Sequence, residues 1–269
     1  MGIFTPSTDD YSDPLISPFT EAKIILVPEL DSEQMEEIKY FNTPFFVIEL
    51  RQQFLRRVYG ILTTQLLITM LVVYWLLKSF DATLWIREHL WVVYLSIFLT
   101  FALMLVLACC PHIGRSFPCN FLLLGLITAC KCLLITVICW YYRFDDILLA
   151  MGVTLVVFVV LTLFAVQTRY DLTLHASFLL IFFLLLAICG IVGIFFENHF
   201  FHVVYASLVV LGVAMAIVID TQLMLIGKHS QSFEPEDYVF AALVLYSDII
   251  TLFVYVLRLI GLLGNDSTS

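Results

Sequence analysis

The chain carries seven apolar runs, and these constrain its fold more than any other feature. They are Val58–Leu77, Leu90–Cys110, Phe121–Tyr142, Ile147–Val166, Leu174–Phe196, Val203–Ile226 and Val239–Leu263, joined by connections of four to twelve residues. About 20 apolar residues in helical form cross the hydrocarbon of a bilayer. In lipid the backbone must satisfy its own hydrogen bonds, so only helices and closed barrels span it. Uninterrupted runs of this length fit helices and not the alternating ten-residue strands of a barrel. The expected fold is therefore all-α and polytopic. The seventh run contains Asp248 and Arg258. It either spans the membrane or lies partly within the bundle.

Composition agrees. Hydrophobic residues make up 62% and charged residues 13% of the 269, whereas soluble domains are about 45–50% apolar and about 25% charged. An ordinary soluble enzyme and a disordered chain are both excluded. The net charge of −9 is unevenly placed. Residues 1–49 hold ten acids and two bases, and the remaining 220 residues are close to neutral at −1. The sequence thus divides into a disordered acidic tail over 1–49, a helical bundle over 50–263 and a short tail over 264–269. Residues 1–49 show no basic stretch followed by an apolar one, so no cleaved signal peptide is expected.

Basic residues in short loops set orientation. Arg51, Arg56, Arg57, Arg115, Arg169 and Lys228 lie on the side of the N-terminus, against Lys78, Arg87 and Arg143 on the other. The N-terminus is expected in the cytosol. The seven cysteines all lie in or beside spans, and no lumenal pair suggests a disulfide.

Ionisable groups at membrane depth are costly, so a functional reading is their default. Lys131, Asp220, Asp248 and Arg258 qualify. Asp220 follows Gly212 and Ala216 at four-residue spacing, a small-residue face that admits a neighbouring helix. Asp248, Thr251, Tyr255 and Arg258 form one polar stripe on an apolar helix. The sixth and seventh segments run antiparallel, so Asp220 and Asp248 fall in the same half of the membrane and can meet. Two adjacent carboxylates in a low-dielectric site do not both ionise easily, and they would share a proton. Ca²⁺ prefers oxygen ligands and is a sensible competitor for that proton. Lys131, near the middle of the third span, reads as a counter-ion or as a charge that reduces cation permeation. His199 and His202 beside Glu197 are a weaker metal-binding pattern. No nucleophile constellation, P-loop, dinucleotide fingerprint or zinc spacing is present, so no enzyme is expected.

Several motifs occur in order along residues 50–263. They are Phe54-Leu-Arg-Arg-Val-Tyr-Gly-Ile-Leu-Thr-Thr-Gln-Leu, Arg115-Ser-Phe-Pro-Cys-Asn, Phe164-Ala-Val-Gln-Thr-Arg-Tyr-Asp-Leu-Thr and Asp220-Thr-Gln-Leu, followed by the stretch from Pro235 to Phe253 around Tyr246-Ser-Asp248. Through them the chain resembles the transmembrane BAX inhibitor motif family, in its lifeguard branch. The resemblance implies a seven-helix bundle with the last helix central. It also implies a Ca²⁺ leak channel or Ca²⁺/H⁺ exchanger of internal membranes (endoplasmic reticulum, Golgi or lysosome) that protects from cell death, with apoptosis-regulating membrane proteins as partners. The family's paired aspartates, its pH-sensing pore latch and tentative Ca²⁺ ligands, match Asp220 and Asp248. No resident cofactor is implied, since Ca²⁺ is the transported ion.

Three positions depart from the family pattern. Ser247 precedes Asp248 where Tyr-Leu-Asp is common. His112 and Arg115 are the nearest counterparts of a basic latch partner. Lys131 stands where many members carry an acid. The alternative function is a non-conducting scaffold that binds death-regulating or trafficking proteins, and Lys131 is the feature that favours it.

Overall fold

The computed structural model describes residues 44–109, 119–168, 172, 176–193, 195, 198–226 and 238–266. These residues form α1 (Pro44–Lys78), α2 (Phe80–Glu88), α3 (Leu90–Cys109), α4 (Cys119–Cys139), α5 (Phe144–Gln167), α6 (Ala176–Gly193), α7 (His199–Ile226) and α8 (Tyr238–Asp266). Seven of them are long and apolar enough to cross a membrane, and α8 meets that length in full over Tyr238–Gly264. The fold is an all-α polytopic membrane bundle. The outer boundaries set from the sequence shift. α1 begins at Pro44, inside the stretch assigned to the tail, and α8 runs to Asp266, past the expected end at 263. Hydropathy marks only the lipid-buried part of a helix, whereas backbone hydrogen bonds carry the helix on into polar sequence.

α2 is an element that the apolar runs did not announce. Ser79 caps it, Asp81 sits in its first turn and Arg87 in its last, as the helix dipole favours. Its C-terminal residue His89 leaves the helical region, and α3 starts at once. Arg87 extends over the Trp140 ring, 5.4 Å from its centroid, and so ties α2 to the end of α4.

α8 is the central helix. It packs against α1, α4, α5 and α7, while α3 leans on α4 and α6 on α7 from outside. In the most apolar window of α8, 61% of residues are buried, against 11% in α6. Ala241, Ala242, Leu245, Tyr246, Leu252 and Leu257 of α8 are fully enclosed. The outer helices instead turn Leu71, Phe98, Leu122 and Leu180 outward. Lipid is as apolar as these side chains, so close packing and polar contacts do the holding. Small residues make this possible. A Cβ on Gly212 of α7 would stand 2.7 Å from the Phe182 ring of α6.

That contact revises the expected small-residue face. Gly212 meets α6, whereas Asp220, eight residues on, is directed to α8. At 3.6 residues per turn, eight residues end about 80° from where they began. One stripe on α7 therefore serves two neighbours.

Candidate functional site

The candidate site lies where α4, α7 and α8 converge. Asp248 is ten residues into α8, about 15 Å from its start, and Asp220 is six residues before the end of α7. Both lie in the half of the bundle that holds the start of α1. Their carboxyl groups face each other closely enough to interact directly. A proton or a cation between them relieves the opposition of two negative charges in a low-dielectric setting. Asp248 Oδ2 is buried with no partner among the described residues. The Ser247 hydroxyl is also buried without a partner among the described residues, whereas the Thr221 hydroxyl faces Tyr59 of α1.

Lys131 of α4 faces this pair. Its charge acts on Asp248 through space, at a distance longer than an ion-pair contact. With one shared proton the two carboxylates carry a single negative charge, which the ammonium balances.

Arg258 is not part of this cluster. It lies ten residues further along α8, about 15 Å away, and its Nη2 donates to His202 Nδ1 at 3.2 Å. The polar stripe on α8 thus reaches two different surroundings. His112 and Arg115 lie outside the described residues, as do the acidic residues before Pro44 and Glu197. His199 and His202 do not converge on a metal. His199 Nε2 meets the Leu262 carbonyl at 3.2 Å while His202 turns to Arg258. Among the described residues no group of three or more His, Cys, Asp or Glu gathers to hold an ion. Two carboxylates fall short of the six to eight oxygens that bind a resident Ca²⁺.

A chain of hydrogen bonds fixes the geometry around α8, and the sequence did not single out its members. Thr69 donates to the Gln65 carbonyl at 2.8 Å, so its oxygen is left to accept from the Tyr246 hydroxyl, also at 2.8 Å. Gln65 Nε2 donates to Thr128 Oγ1 at 3.0 Å. Tyr246 on α8 is thereby tied through α1 to Thr128, one turn before Lys131 on α4. The available signal was Thr63-Thr64-Gln65 inside an apolar run, since polar residues at that depth need partners. Beside this chain a groove of about 700 Å³ opens between α1 and α4, with Gly60 and Gly125 among its lining. On α7, Gln222 Oε1 accepts from the backbone N–H of Leu172 at 2.9 Å, which holds the connection after α5 against α7.

The family model described as "Inhibitor of apoptosis-promoting Bax1" matches residues 51–266. The chain belongs to this family. It is 33% identical over 217 residues to Protein lifeguard 3 of Homo sapiens, covering 79% of this chain and 70% of the relative. It is 30% identical over 223 residues to Bax inhibitor 1 of Schizosaccharomyces pombe, covering 82% of this chain and 80% of the relative. The matched region contains every described residue of the site and ends with the last turn of α8.

Proposed function

We propose that this protein is a proton-sensitive path for Ca²⁺ through an intracellular membrane, without enzymatic activity, and that it restrains apoptosis by limiting stored Ca²⁺. The observation that carries this reading is the facing of Asp220 and Asp248 across two antiparallel helices, with Asp248 Oδ2 buried and without a partner among the described residues. A proton and a Ca²⁺ ion compete for the same oxygens, so Ca²⁺ binding displaces the shared proton. That competition serves a pH-gated leak or an exchange of Ca²⁺ for H⁺. The excess of Lys and Arg on the side of the N-terminus supports a cytosolic acid pair and tail. The names of the relatives support the role in cell death.

Ca²⁺ efflux from proteoliposomes, measured across pH, tests this. Efflux is expected from wild type and is expected to fall at least about tenfold in Asp248→Asn and Asp220→Asn. No efflux from wild type, or equal efflux from all three, refutes it.

Lys131 favours a second reading, a non-conducting scaffold, because a cation facing the acid pair opposes Ca²⁺ entry. Deleting residues 1–43 separates the two. A path retains its flux without the tail, whereas a scaffold that works through the tail loses its partner.

A further inference from the structure

The end of the α7–α8 pair away from the aspartates holds a second polar cluster, which the proposed cation path does not use. Arg258 and Tyr255 of α8 and His202 and Tyr205 of α7 line a cavity of about 370 Å³, bounded on its third side by α6. That wall is built from small residues. A Cβ at Gly190 would lie 2.6 Å from the Tyr205 hydroxyl, and one at Gly193 would lie 2.6 Å from the Phe201 ring. The glycines thus let the aromatic side chains reach α6 and shape the cavity.

Arg258 carries a charge that no described residue neutralises. No carboxylate among the described residues lies within ion-pair distance of it. Its contacts are His202 Nδ1 at 3.2 Å and the face of Tyr205, whose centroid is 5.9 Å from Cζ. A guanidinium has five N–H donors, so one imidazole nitrogen leaves most of them unused. Tyr142, from the connection between α4 and α5, also feels this charge. Burial pushes its phenol up and Arg258 counteracts that, so Tyr142 adds a neutral hydroxyl and no anion. Tyr255 lies edge-on to Tyr205, at 6.2 Å between centroids. His199 is engaged with the Leu262 carbonyl. The described groups around Arg258 are thus imidazole, phenol and guanidinium, a set rich in donors and, among the described residues, lacking an acid.

Depth points to the kind of anion. Arg258 lies six residues before the end of the span at Gly264, about 9 Å along the axis. That is the level of the boundary between headgroups and acyl chains. Ile191, Phe195 and Phe200 nearby are strongly exposed and apolar, a surface suited to lipid tails. Arginine matches phosphate oxygens in a bidentate fork.

We propose that this cavity binds a phosphate-bearing anion, namely the headgroup phosphate of an anionic phospholipid in the leaflet opposite the aspartates. Arg258 forms the fork, His202 and Tyr205 orient it, and the glycine wall of α6 admits the headgroup.

Native mass spectrometry of the full chain in detergent tests this, with dioleoyl phosphatidic acid, dioleoyl phosphatidylcholine and inorganic phosphate as probes. Wild type is expected to retain phosphatidic acid over phosphatidylcholine. Arg258→Ala is expected to weaken that retention at least about tenfold, the loss of one charged hydrogen-bonded contact, and Arg258→Lys to keep part of it. Ala187→Phe fills the cavity from α6 and leaves every cation in place, so it should abolish retention as well. Displacement of phosphatidic acid by inorganic phosphate supports the phosphate site and assigns it to the soluble anion. Retention equal to wild type in Arg258→Ala and Ala187→Phe overturns the proposal. If Arg258→Ala does not fold, unchanged retention in Arg258→Lys and Ala187→Phe overturns it equally.

Discussion

The two ends of the α7–α8 pair handle buried charge in opposite ways. At one end two carboxyl groups face each other, with a lysine held at a distance. At the other an arginine meets a histidine and two tyrosines, with no acid among the described residues. At each end, polar atoms are left without a full set of partners among the described residues. The acid end has acceptors in excess and calls for a proton or a cation, whereas the basic end has donors in excess and calls for an anion. One pair of helices thus presents complementary ligand preferences about 15 Å apart, the rise of the ten residues between Asp248 and Arg258.

The strongest way to break the comparison is at the acid end. Asp248→Asn keeps shape and removes the shared charge, and Ca²⁺ efflux from proteoliposomes should fall at least about tenfold. In wild type the sign with pH follows from competition. Ca²⁺ binds the deprotonated pair and protons displace it, so efflux should rise as the pH at the acid end rises and fall on acidification. In Asp220→Asn and Asp248→Asn that dependence should flatten.

Next in size is the lysine. Lys131→Ala removes the opposing cation and should raise Ca²⁺ efflux several-fold, with Lys131→Glu raising it further. Lower efflux in both would show that Lys131 holds the pair in register and does not repel the ion.

Packing supplies smaller effects, read as thermal stability in detergent. Gly212→Leu forces a side chain into the Phe182 ring and should cost about 1–3 kcal/mol. Tyr246→Phe removes the hydrogen bond to Thr69, worth about 0.6–1.7 kcal/mol within a membrane bundle. Arg143→Ala breaks an ion pair of 3.9 Å between side chains 83% and 84% exposed, and should leave the melting temperature unchanged.

Much of this was legible in the sequence, because membrane spans are written locally. A run of 20 apolar residues declares its helix without reference to any partner, and the seven expected runs correspond to seven long helices. α2 escaped notice because nine residues with Asp81, Arg87 and Glu88 carry no such signal. Asp220, Asp248 and Lys131 stood out for the same local reason, the cost of charge at depth. The partners Thr69, Tyr246 and Gln65 did not, since a hydroxyl or an amide among apolar residues is cheap enough to pass as packing.

From its sequence alone the chain is a polytopic helical protein with a few ionisable groups at membrane depth and the motifs of its family. Periodicity also placed Asp248 and Arg258 on one face of one helix. Only the tertiary structure decided which neighbour each part of a face meets. It directed Gly212 to α6 and Asp220 to α8, and it sent Arg258 to His202 and away from the acid pair. The reason is geometric. A helix repeats every 3.6 residues, so a stripe of residues drifts around its axis, and the contacts it makes depend on how neighbouring helices cross and rotate. Those quantities arise from packing across residues as far apart as Lys131 and Asp248, which no local pattern encodes.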